Sequence, residues 1–129
     1  HLLRGDALLQ TKNPEGALAA YRSYLSKDVG DPVLRISAKR GEAVALEDLG
    51  QNAEAAAAYE ELAGISERPE IVIPDLMSAG RCREKAGDWA AARTIYEGIV
   101  QKYPVEPLAA DAKLKLEEVE RRAPSGAQP

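Results

Sequence analysis

Phenylalanine is absent from this chain of 129 residues, and His, Cys, Met and Trp occur once each. A single cysteine, Cys82, excludes an intramolecular disulfide and is expected to be a small packing residue. That suits a reducing compartment, and equally a periplasmic protein that needs no disulfide. One His and one Cys cannot build a usual transition-metal site, and no acidic loop has calcium spacing, so neither a metal nor a cofactor is expected. Catalytic sets are missing too. There is no Ser/His/Asp group, no Cys/His pair beyond His1 and Cys82, and no phosphate-binding glycine loop, so the chain is read as not an enzyme. No run approaches the ~18 apolar residues of a membrane span, so no direct membrane insertion is expected. Lys and Arg number 17 against 21 Asp and Glu, a net charge of −4, which argues against nucleic acid as a partner.

What the chain does have is alanine, with few clusters of β-branched residues. Alanine has the highest intrinsic helix propensity, and its small side chain lets helices approach closely. An all-α protein with a thin, Ala-lined core is therefore expected. Hydrophobic residues make up 45 % and charged residues 29 %, ordinary proportions for a folded chain.

One pattern occurs three times: Ala, three residues, Tyr, two residues, a large apolar side chain. It reads Ala17-Tyr21-Tyr24, Ala55-Tyr59-Leu62 and Ala92-Tyr96-Ile99, in steps of 55 − 17 = 38 and 92 − 55 = 37 residues. A fixed period of this size signals stacked helical hairpins. Breaks fall between the copies. Asn13-Pro14 and Asp31-Pro32 read as a cap followed by a first-turn proline, and Gly50 and Gly87 read as turns. Helices are expected at about 1–11, 14–26, 32–49, 53–64, 75–86, 89–103 and 107–122. Ile71-Val72-Ile73 looks locally like a strand, but Pro69 and Pro74 flank it. It is read as an extended linker or as the first turn of a long helix.

Aligned on the turns, Gly5, Ala43 and Gly80 share one small-residue position, followed by the turn at Lys12, Gly50 and Gly87 and then by the Ala-Tyr pattern, with Pro104 closing the third copy. This resembles the tetratricopeptide repeat family, in which a small residue of helix A lets helix B pack closely. The resemblance implies a right-handed solenoid of three hairpins plus a C-terminal helix. It places one repeat domain at 1–122, with repeats at about 1–27, 32–64 and 69–104, a final helix at 107–122 and a disordered tail at 123–129. Two features depart from the family pattern. Its spacing is about 34 residues, so each unit here has roughly one extra helical turn, expected at the starts of the second and third helices A. Arg83 stands where Leu8 and Leu46 stand, so the third helix A is either shifted or lets the Arg stem run along apolar surface.

What the family implies about function is protein–protein interaction: a scaffold or adaptor that binds a peptide or partner protein on the inner face of its A helices. The corresponding positions are Leu2, Asp6 and Gln10, then Arg40, Val44, Glu47 and Asp48, then Met77, Arg81, Glu84 and Lys85. Arg40, Arg81 and Lys85 could form a positive spot for a carboxylate, the bland alternative being a solvated mixed-charge face. Asp75 and Glu84 are expected on solvated helix surface, and Trp89 as packing at the start of its helix. The Lys/Asn carboxylate clamp of some family members is absent or different, because Leu2 and Asp6 occupy the first-unit positions.

The longer spacing and the phrase Tyr103-Pro104-Val105-Glu106-Pro107-Leu108 resemble bacterial envelope members, closest to the YfgM-like ancillary subunits of the Sec translocon. That resemblance implies a periplasmic or envelope location over a cytoplasmic one, with an anchor upstream of His1. The first residue, His1, is read as the start of a domain cut from a longer protein. The competing reading is a self-associating structural module, in which the edge of the last helix (Leu108, Leu114, Leu116, Val119) either caps the solenoid or docks a second copy.

Overall fold

The computed structural model describes residues 13–27 and 30–122. The expected first helix, with Leu2, Gly5, Asp6 and Gln10, and the expected tail lie outside the described residues. Within them the protein is all-helical: α1 (Pro14–Leu25), α2 (Pro32–Asp48), α3 (Asn52–Ala63), α4 (Pro69–Lys85), α5 (Trp89–Lys102), a 3₁₀ turn (Pro107–Ala109) and α6 (Ala110–Arg122). Each helix packs on its neighbour in sequence, the arrangement of a helical-hairpin solenoid, and the 3₁₀ turn also touches α4.

Local chemistry places the ends. Asn13 and Asp31 accept hydrogen bonds from the N–H groups of Gly16 (3.1 Å) and Val33 (2.8 Å), each with proline opening the helix. Helices α2 and α4 stop alike. The N–H groups of Gly50 and Gln51 donate to the carbonyls of Glu47 and Leu46, and those of Gly87 and Asp88 to Glu84 and Arg83. This paired closure needs a left-handed residue, supplied by Gly50 and Gly87, both at φ +78°. The two hairpins α2–α3 and α4–α5 thus share one turn, repeated 37 residues apart (87 − 50).

Helices α2 and α4 are each 17 residues long, against 12 for α1 and α3. Each opens on a proline 11 residues before the small position (43 − 32 and 80 − 69). The Ile71-Val72-Ile73 segment belongs to this long helix, so the extended-linker alternative does not hold and α4 starts earlier than Asp75. Val72 and Ile73 are buried against the C-terminal half, whereas Pro74 lies on the exposed side. The proline leaves the Glu70 carbonyl without its N–H partner, at two residues that are both exposed.

The core is Ala-lined, as composition suggests. One cluster joins α1–α4 around Ala17, Tyr21, Leu46, Ala55 and Tyr59. The other joins α3–α6 around Ile73, Ala92, Tyr96, Ile99 and Val119. Tyr96 seats on Gly80: a Cβ there would come within 2.5 Å of the buried Tyr96 ring. The same device holds Tyr21 against Gly41 of the next helix, a contact between repeats that the Ala43 alignment does not anticipate. Val119 is fully buried and Leu116 packs against the second cluster, so the expected exposed edge of the last helix reduces to Leu108 and Leu114.

Candidate functional site

The sequence-predicted partner face comes from one side of α2 (Arg40, Val44, Glu47) and of α4 (Met77, Arg81, Glu84, Lys85). The structure joins most of these residues through ion pairs running from one helix A to the next. At one end Arg40 pairs with Asp75, its second nitrogen lying 3.3 Å from the other carboxylate oxygen. At the other end Arg81 donates twice to Glu47, 2.8 Å to each oxygen, and Lys85 adds a third bond at 2.7 Å. Tyr59 of α3 donates to the same Glu47 at 3.4 Å. Val44 and Met77 are half-buried between these ends and pack against the first and second core clusters respectively.

The electrostatics follow from this crowding. Hydrogen bonding by Arg81 holds the Glu47 carboxyl down at about 2, against the upward push of burial and with help from Lys85. Burial, and then the Glu47 charge, push Tyr59 up to about 12. Cys82 behind it is buried, and burial together with the Glu47 charge raises its thiol to about 11, so it is an unreactive packing group.

Asp75 is a correction to the sequence reading. It is 3 % exposed rather than solvated, because Arg40 reaches over from α2 to neutralise it. Glu84 is half-buried rather than freely solvated and accepts a 2.5 Å hydrogen bond from Tyr96. The three cations of the expected positive spot therefore stand among three carboxylates, Glu47, Asp75 and Glu84, and the surface they make is charge-balanced. Arg83 keeps the register of its helix and reaches Glu60 of α3 at 2.8 Å, which resolves the departure noted at that position in favour of the extended stem. Trp89 opens α5, packs on the second cluster, and carries Arg122 over its ring at 5.5 Å.

A second ionic network escapes sequence reasoning. On α1–α3, Arg22 pairs with Glu42 (3.0 Å) and Glu54 (3.4 Å), and Lys39 pairs with Glu42 (3.3 Å) and Glu61 (2.9 Å). Burial lowers the Lys39 pKa, but the two carboxylates outweigh it and the net shift is upward. Nothing in the linear order points to partners 20 and 32 residues away.

Stacked hairpins with identical turns, tyrosines seated on glycines and cross-repeat ion pairs define a helical-repeat protein. Two stretches are similar to tetratricopeptide repeats: residues 76–104 and residues 1–32 each match a family model described as tetratricopeptide repeat. Neither match points to the translocon subgroup. No curated protein and no solved structure matches the chain. Repeats of this family in general mediate protein–protein interaction.

Proposed function

We propose that the chain is a non-catalytic interaction module whose partner, an extended peptide or a helix of another protein, docks on the face shared by α2 and α4. The supporting observation is the clamp on Glu47. Arg81 and Lys85 remain 44 % and 48 % exposed while three short bonds hold them in place. Side chains already fixed lose little entropy when a partner arrives, so their remaining donors are available at low cost. Helix-in-groove or peptide recognition needs only such a preformed surface. A self-associating module of a membrane-anchored envelope protein, the other reading of the sequence, loses half of its docking edge because Leu116 and Val119 turn inward.

Photocrosslinking tests the reading. A photoreactive residue at Met77 is expected to capture a discrete partner from the native extract, whereas one at Ala57, exposed on α3, captures none. Equal capture from both positions, or none from Met77, overturns it.

A further inference from the structure

The three cations of the α2–α4 face match its carboxylates in number but not in depth. The Asp75 and Glu47 side chains are 4 % and 13 % exposed, whereas those of Arg40, Arg81 and Lys85 are 40 %, 44 % and 48 % exposed. The acids lie beneath and the bases at the surface. Side-chain length does not make this automatic. In the α1–α3 network, Glu54 and Glu61 are more exposed than the Arg22 and Lys39 that they bind. Arg40 turns Nη1 and Nη2 to Asp75, and Arg81 turns Nε and Nη2 to Glu47, so each guanidinium keeps further N–H groups for a partner. Of the other acids on this face, Glu84 is engaged by Tyr96, and Asp48 is exposed as the last residue of α2. Between the two donor groups stand Val44 and Met77, both half-buried. On α2 the two groups are marked by Arg40 and Glu47, 47 − 40 = 7 residues apart, which is about 10 Å along a helix.

We infer that the partner segment is an α-helix with two acidic side chains about seven residues apart and a large apolar side chain between them. Each carboxylate meets one donor group, and the apolar side chain rests on Val44 and Met77. Spacing selects the helix. About seven residues of a helix span about 10 Å and return to nearly the same side, with the residue four after the first lying between them on that side. An extended strand covers about 10 Å in about three residues, whose side chains alternate, so its two acids would face opposite ways. Charge complementarity selects the acids. A carboxylate makes short, charge-assisted bonds to a guanidinium, whereas a basic partner residue would meet like charge, with the acids buried beneath. Because Asp75 and Glu47 already offset much of the positive charge, the partner's acids fix register and specificity more than total affinity. The inference rests on the α2–α4 face being the docking face and adds the chemistry of what docks there.

Fluorescence anisotropy with the whole chain tests it. The probes are labelled Ala/Gln helical peptides of about 20 residues, acetylated and amidated so that no terminal carboxylate takes part. The first carries two Glu about seven residues apart, with Leu at the fourth position after the first Glu. The second has the same composition, with the second Glu moved two positions on, to the opposite side of the helix. The third has Gln in place of both Glu. The fourth is the first with a central Pro that blocks the helix. The first probe is expected to bind about fivefold more tightly than each of the others. Its advantage over the second and third is expected to vanish in Arg40→Gln with Asp75→Asn and in Arg81→Gln with Glu47→Gln. These double variants leave no buried charge unpaired. The advantage is expected to persist in Arg121→Gln, exposed on α6. Comparison of the probes on the unaltered chain depends on no variant folding. Equal binding of the first and second probes, no binding of the first, or an advantage that survives both double variants overturns the inference. Equal binding of the Pro-containing probe means an extended occupant and overturns it as well. Capture from Met77 without preference for the first probe overturns this inference alone, whereas no capture overturns the interaction reading itself.

Discussion

Two glycines inside helices show how a single residue acts through what surrounds it. Glycine costs a helix interior about 0.5–1 kcal/mol relative to alanine, so its presence calls for a reason. At Gly80 the reason is the Tyr96 ring, within 2.5 Å of where a Cβ would sit. At Gly98, exposed on α5, nothing lies within 4 Å. The same substitution is therefore expected to have opposite signs. Gly80→Ala should lower stability by about 1–3 kcal/mol through overpacking, and Gly98→Ala should raise it by about 0.5–1 kcal/mol through propensity. Urea unfolding midpoints of the two variants check this, and two shifts of the same sign would refute the packing argument. Gly80 was legible in the sequence because it recurs in register with Ala43. Gly41 was not, because its tyrosine belongs to the preceding repeat.

Between elements, the contact that matters is the clamp from α4 onto Glu47 of α2. The Glu47 carboxyl titrates near 4.5 in an unfolded chain and near about 2 when clamped. Its folded pKa is depressed, so its contribution is fully present above about pH 4.5 and is lost as pH falls toward 2. With Arg81 and Lys85 nearly half exposed, solvent screening limits that contribution to about 1–2 kcal/mol. The urea midpoint of Glu47→Gln is expected to fall below that of the unaltered protein at pH 6, and the gap to narrow at pH 3. A gap that does not change with pH would mean the clamp adds nothing to stability. Helix α4 itself was half legible. Its stop at Gly87 and its apolar stripe could be read directly, but its start was obscured by Pro74. The clue was Pro69, which stands 37 residues after Pro32 and opens its helix in the same way.

On the scale of the whole molecule, α6 covers the apolar side of α5. Ala112 and Val119 are fully buried beneath it, and its outer side carries Asp111, Lys113, Glu117 and Arg121 around an exposed Leu114. A repeat stack needs such an end, because every hairpin leaves an apolar side for the next one to cover. Val119→Asp places a charge in that seam and is expected to cost on the order of 3 kcal/mol or more. Leu114→Ser, on the outer side, should change stability by about 0.5 kcal/mol at most. Thermal melts of the two variants decide between a cap and a free apolar edge, since comparable losses would mean that α6 does not seal the core.

The sequence by itself determined the all-helical hairpin repeat, its period, its caps and its turns, because these depend on residues a few positions apart and on a pattern that recurs. It also marked α2 and α4 as the face to inspect. Only the tertiary structure decided what that face is. Ion pairs across 34 to 38 residues form when two helices are laid side by side, and their spacing along the chain carries no trace of them. Asp75 looked like surface until Arg40 covered it. Arg81 and Lys85 looked like free charge until Glu47 was found beneath them.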